Sequence, residues 1–178
     1  MRTKTSPGRI AIEAGTVKDW LALAKYHYRS VQLGPVDRIY RLKTGGQVVC
    51  VAVYAFPTLQ SSVRNRVFSG RYNGHALARE RHALLNREVR TLRRLVTHPE
   101  WRRKGLAAKL LRVTLPALGV PFVECVSVAA RRSHFLEDAD FVCCGSVLPR
   151  GNAPRPFYYL WTRRDGSQKK MKTPMVNM

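Results

Sequence analysis

The residues of this sequence best suited to chemistry are Arg102, Arg103, Lys104, Gly105, Leu106 and Ala107. Three cations precede a glycine. Leu106, Leu110 and Val113 then recur at i, i+4 and i+7, with Ala107 and Leu111 beside them, which predicts a core-facing helix opening at that point. Gly105 lets the backbone come close to a ligand, and the small Ala107 adds no obstruction. Free N–H groups, the positive end of a helix dipole and cationic side chains meet in one place, and such a place suits a phosphate or diphosphate. The alternative is a solvated helix cap with basic residues. Glu124, in the apolar segment 122–128, reads as structural rather than catalytic. A buried carboxylate there needs a partner, and Arg94, on the strand expected beside it, is the candidate.

The elements that position these residues follow from pattern. Residues 9–13 alternate as a short strand. Thr16 is an N-cap for a helix with Val17, Leu21 and Ala24 at helical spacing and Trp20 and Leu23 alongside, ending in Tyr26-His27-Tyr28-Arg29. Residues 38–43 and 48–56 are two strands joined at Thr44-Gly45-Gly46, a hairpin signal. Residues 57–86 begin as a loop, and 76–85 can form a helix; Arg64, Arg66, Arg71, Arg79 and Arg81 interleave with Phe68 and Tyr72. Basic residues among aromatics can grip a nucleic-acid backbone and stack a base; a basic loop is the plain alternative. Residues 88–97 form a strand in which Leu92, Arg94 and Val96 share one face while Leu95 falls on the other, so a bulge is expected. A strand over 122–128, a helix over 129–138 and strands over 140–147 and 157–162 complete a single domain spanning 1–162, and 163–178 is a basic tail.

The chain has 178 residues, and 32 Lys and Arg oppose 11 Asp and Glu, a formal charge of +21. An excess this large favours a polyanionic partner, nucleic acid first, over a basic protein with incidental charge. No apolar run reaches the ~20 residues that cross a bilayer, so no membrane partner is expected, and the N-terminus has no apolar stretch of a secretory leader. Cys50, Cys125, Cys143 and Cys144 lack C-x-x-C spacing, and His75, His82 and His98 are not clustered. A reduced, cytoplasmic protein without a metal is the expectation.

The order strand, His98-Pro99-Glu100-Trp101-Arg102, then Arg102-x-x-Gly105-x-Ala107, then an apolar helix resembles motif A (Q/R-x-x-G-x-G/A) of the GNAT superfamily, the Gcn5-related N-acyltransferases. The resemblance runs from about residue 86 to 145 and includes Leu85-Asn86-Arg87-Glu88, Arg94-Leu95-Val96 and Pro121-Phe122-Val123-Glu124. It implies an α/β (α+β) fold: a mixed, mostly antiparallel sheet flanked by helices, with a bulged central strand splayed from the next in a V-shaped split. It implies acetyl-CoA or another acyl-CoA as cofactor, held by Leu95, Val96, Thr97, Arg102, Arg103, Lys104, Gly105, Leu106 and Ala107, with N–H groups near Leu95 polarising the thioester carbonyl. On the acceptor side the resemblance implies His27, Tyr28, Glu88 and Arg94. Glu88 opens the strand where such enzymes carry a general base, with a surface salt bridge to Arg90 or Arg93 as the alternative. The family's acid, a Tyr, is matched here by Phe135, which cannot donate a proton; His134 is a substitute, weighed against a plain surface role.

His27, Tyr28 and Arg94 are also similar in kind and order to residues of the Mom-like DNA-modification proteins of phage Mu. The expected function is therefore an acyl-CoA-dependent N-acyltransferase acting on an amine carried by nucleic acid, a DNA base or aminoacyl-tRNA. The alternatives are a protein or small-molecule N-acetyltransferase, and a non-catalytic nucleic-acid-binding member.

Overall fold

The computed structural model describes residues 8–27, 32–73, 77–149, 151 and 154–164. Seven strands form one sheet in the order β1-β2-β3-β4-β5-β7-β6, where β1 is Ile10–Ala14, β2 Val36–Thr44, β3 Gln47–Ala55, β4 Val89–Thr97, β5 Phe122–Ser127, β6 Val142–Ser146 and β7 Phe157–Thr162. The β1–β2, β2–β3, β5–β7 and β6–β7 ladders are antiparallel and β4–β5 is parallel, a mixed and mostly antiparallel sheet. The helices are α1 (Val17–Ala24), α2 (Ser62–Val67), α3 (Ala78–Glu88) and α4 (Leu106–Ala117). The chain divides into two compact units, Met1–Ala55 with Leu92–Leu118, and Phe56–Thr91 with Gly119–Met178.

In the first unit, β2 and β3 form the expected hairpin. Gly45 (φ 56°) and Gly46 (φ 80°) occupy the left-handed region that a tight turn of this hand requires. Thr16 caps α1 with its hydroxyl, and Asp19 reaches back to the Thr16 amide at 2.7 Å, a capping box. Trp20, Leu23 and Ala24 of α1 pack on Ile39, Val51, Val53 and Val96. Val17 and Leu21, expected on that stripe, face solvent: the buried face follows Trp20 and Leu23 instead. α4 lies on the other face of the hairpin, where the Thr114 hydroxyl meets the Tyr54 hydroxyl at 2.7 Å. Val113, predicted to face the core, is 52% exposed, and Thr114 with Leu115 takes its place. Pro116 sits in the last turn of α4, and the helix ends one residue later.

In the second unit, the β4–β5 ladder joins Val89 to Phe122, Arg90 to Val123 and Thr91 to Glu124. The burial alternation of β4 slips by one between Val89 and Leu92, after which Leu92, Arg94 and Val96 are buried in turn. Glu88 does not open this strand; it is the last residue of α3. Residues 129–138, expected as one helix, form two short 3-10 turns, Ala129–Arg132 and Glu137–Ala139. The left-handed backbone of His134 (φ 39°) lies between them and interrupts any continuous helix.

Candidate functional site

β4 carries Leu95, Val96 and Thr97 to the end of the sheet, where the His98 amide donates to the Val49 carbonyl at 2.8 Å. A single 3-10 turn, Pro99–Trp101, follows and buries Trp101. The backbone then enters the left-handed region at Arg103 (φ 59°) and again at Gly105 (φ 70°), and α4 begins at Leu106. No side chain caps this helix. Among the described residues its first amides therefore have no side-chain acceptor, beside the exposed Arg103 and Lys104. A Cβ at position 105 would meet no atom within 4 Å, so glycine is favoured there by the backbone conformation and not by crowding. A turn of this kind presents N–H groups and the positive helix end to an anion.

The cations of the turn do different work. Lys104 Nζ lies 4.3 Å from the centre of the Trp101 ring. Arg102 donates from Nε to the Thr97 carbonyl and from Nη2 to the Tyr26 carbonyl, each at 3.2 Å. Arg102 thus braces the turn against the end of α1, so the backbone and Arg103 with Lys104 carry the positive field. The Tyr26 hydroxyl lies 3.2 Å from His98 Nε2, and the two rings meet edge to face at 4.9 Å. Sequence reasoning missed this second brace; its members are far apart in the chain, and no local pattern marks them.

Of the acceptor-side candidates, His27 is half-buried and edge-on to Trp20 at 5.6 Å, and Tyr28 lies outside the described residues. Arg94 is 5% exposed and donates from Nη2 to the Gln32 carbonyl at 3.0 Å, tying β4 to the segment that follows α1. Cys50, hydrogen-bonded to the Thr97 hydroxyl, has its thiol pushed up to about 11 by burial, which removes it as a nucleophile at neutral pH. The coenzyme candidates Leu95 to Ala107, together with Arg94 and His27, all belong to the first unit.

Glu88 belongs to the second unit, and its surroundings differ from those expected. Its partner is neither Arg90 nor Arg93. Arg71 grips it with two hydrogen bonds, 2.9 and 2.7 Å, and the Tyr72 hydroxyl donates to it at 2.9 Å. A carboxylate on the last residue of α3 faces the negative end of the helix dipole, so it needs such donors. The Arg71 hydrogen bond, against the opposing effect of burial, holds the Glu88 carboxyl below the usual carboxylate range.

Glu124 corrects a second expectation. Its ion-pair partner is Arg64, not Arg94. Arg64 Nε and Nη2 donate to the carboxylate at 2.8 and 2.6 Å, and the hydroxyls of Thr91 and Tyr158 donate at 2.8 Å each. Arg64 is 1% exposed and Glu124 4%. Within the segment 57–86, Arg64 and Arg71 are engaged with carboxylates and Phe68 packs edge to face on Tyr72 and Phe122, while Arg66 and Arg79 are exposed. His75 lies outside the described residues, and Phe135 is half-buried beside an exposed His134.

No protein-family model and no curated protein matches the chain. Solved structures do match in fold. NAA60 of Arabidopsis thaliana, in complex with acetyl-CoA, superposes with a TM-score of 0.59 at 11% identity, over 87% of this chain and all of that one. The ribosomal-protein-S18-alanine N-acetyltransferase of Escherichia coli gives 0.56 at 11% identity, over 91% of this chain and 100% of that chain. The aminoglycoside acetyltransferase AAC(6')-Ib, in complex with coenzyme A and kanamycin, gives 0.54 at 19% identity, over 87% and 95%. The chain therefore has the fold of the GNAT acetyltransferases.

Proposed function

We propose that the protein is an acyl-CoA-dependent N-acyltransferase that uses the turn Arg102–Ala107 to hold the coenzyme's diphosphate. The observation that carries this reading is the uncapped N-terminus of α4, entered through left-handed Arg103 and Gly105, at the end of β4 in a fold shared with acetyltransferases that bind coenzyme A. The donor set fits the group: backbone amides and two exposed cations face an anion, with no acidic residue between Trp101 and Val123. When bound, acetyl-CoA supplies an activated thioester.

This chain's own residues do the rest. Amides of Leu95 to Thr97, at the end of β4, would donate toward a bound thioester oxygen and stabilise negative charge there. Arg94, through Gln32, positions the segment that follows α1 on the acceptor side. His27 and Tyr28 are the groups we assign to proton transfer at the acceptor amine. Glu88, gripped by Arg71, is the weaker choice for a base, because a depressed pKa lowers its proton affinity.

The acceptor we infer is an amine carried by nucleic acid, a DNA base or the aminoacyl end of tRNA. A charge of +21 supports it, and the same charge repels polycationic acceptors such as aminoglycosides. A protein amine is the second reading, favoured by the likeness to the ribosomal-protein-S18-alanine N-acetyltransferase. Titration calorimetry with acetyl-CoA tests the coenzyme assignment: Gly105→Glu, which puts a carboxylate in the cradle, abolishes binding while the circular dichroism spectrum is kept. Full binding by that variant refutes the cradle. Mass spectrometry of nucleosides and tRNA from expressing cells, against a His27→Ala control, tests the acceptor.

A further inference from the structure

We propose that the solvent face of α4 docks the phosphodiester backbone of a nucleic acid, at a surface separate from the coenzyme cradle. This rests on the nucleic-acid reading of the acceptor and names the place where that partner is held.

The argument starts from how the charges are distributed. Four of the eleven acidic residues are held in ion pairs within the fold. Glu13 pairs with Arg41 and Lys43, Asp19 with Arg41, Glu88 with Arg71 and Glu124 with Arg64. The α4 region has the opposite character. From Trp101 to Val123 there is no acidic residue, while Lys109 and Arg112 project from the helix itself. Both are exposed, and among the described residues neither has an ion-pair or hydrogen-bond partner for its side chain. They stand three residues apart, on neighbouring turns of one face, about 4.5 Å along the axis.

The opposite face of the helix is committed to the core. Leu106, Ala108, Leu110, Leu111, Thr114 and Leu115 are buried, and the Thr114 hydroxyl is bonded to Tyr54. The stripe is therefore held on a rigid rod and cannot turn inward to find a counter-charge. A third cation extends it: Arg38 of β2, itself exposed, donates from Nη1 to the Ala117 carbonyl at 3.2 Å, at the negative end of the α4 dipole. Exposed Arg103 and Lys104 lie at the other end, in the coenzyme turn.

Two unpartnered cations on the face of α4, with no acidic residue on the helix and Arg38, beside Asp37, at its far end, suit an extended polyanion with regularly spaced charges. A polynucleotide gains by spanning the row, because each neutralised phosphate releases condensed counterions. A small anion such as the coenzyme occupies only the turn. The proposal places the polymer beside the coenzyme without competing for it.

Fluorescence anisotropy with labelled 20-mer duplex DNA and with tRNA, over a salt series, tests the surface. The full-length protein is compared with Lys109→Gln/Arg112→Gln, and acetyl-CoA calorimetry on both serves as the folding control. The wild type should bind with strong salt dependence. The variant should lose roughly tenfold or more in affinity at low salt, and its log–log salt slope for duplex should shrink by about 1.8, two phosphate contacts at about 0.9 each. Acetyl-CoA affinity should stay within about twofold, since the backbone cradle is untouched. Equal nucleic-acid affinity and slope in the variant overturn the α4 surface while leaving the nucleic-acid acceptor standing. A wild type that binds no nucleic acid overturns both, with the coenzyme assignment intact. Poly-glutamate bound as tightly as a nucleic acid of equal charge overturns the proposal in favour of an acidic protein partner.

Discussion

Replacing Arg64 by Met takes two charge-assisted hydrogen bonds, at 2.8 and 2.6 Å, from a carboxylate that is 4% exposed. The Thr91 and Tyr158 hydroxyls still donate, but no cation remains, and a stranded buried charge of this kind costs about 3–5 kcal/mol. Glu124→Leu strands the guanidinium of Arg64 in turn, leaving it the neutral Thr58 carbonyl at 2.7 Å in place of a carboxylate, and costs about as much. The double variant removes both charges together. What remains is the loss of an acceptor for two hydroxyls, about 1–3 kcal/mol each before repacking, partly offset by new apolar burial. The singles therefore sum to about 6–10 kcal/mol, the double loses about 4 or less, and the coupling energy is about 2 kcal/mol or more. Urea denaturation at pH 7 with linear extrapolation measures all four proteins, and unchanged m-values license the comparison. If Arg64→Met leaves too little folded protein, Arg64→Lys gives the same sign at smaller size, because it keeps the charge and loses the fork. Additivity within about 0.5 kcal/mol would refute the claim that Arg64 and Glu124 form one buried unit.

Three more outcomes follow from the same geometry. Glu88 has a depressed pKa in the folded protein, so its contribution is complete above the unfolded carboxylate value near 4.5 and is lost as pH falls through the folded value; Glu88→Gln should flatten that part of the stability-versus-pH curve below about pH 4.5 and leave the slope near neutrality unchanged. Thr16→Ala breaks the α1 capping box and should cost about 1 kcal/mol in urea denaturation, whereas Val17→Ala, on the exposed side of the same turn, should cost less than about 0.5. Iodoacetamide followed by peptide mass spectrometry should label exposed Cys143 first, and Cys50 and Cys125 only on unfolding; early labelling of Cys50 would contradict its burial beside Thr97.

Much of the fold was legible because its signals are local. Gly45-Gly46 demanded a tight hairpin, Thr16 marked the start of a helix, and Gly105 with the apolar residues after it marked another. The faces of those helices were less legible. Val17, Leu21 and Val113 fit an apolar stripe by spacing yet are exposed, because a short amphipathic helix admits more than one apolar arc and the sheet beneath decides which is buried. Residues 129–138 misled for a similar reason: helical composition is a weak prior, and the left-handed turn at His134 overrides it.

What the chain determined by itself was the left-handed turn into α4 that we assign to the coenzyme, since glycine, dipole and cations act within a few residues of one another, and the excess of positive charge, which is composition. Only the folded structure decided which charges are spent. It gave Glu124 to Arg64 instead of Arg94, locked Glu88 onto Arg71, braced Arg102 and His98 against Tyr26, and left Lys109 and Arg112 facing solvent. Ion pairing depends on distances of a few ångströms between segments tens of residues apart, and no spacing along the sequence encodes that separation.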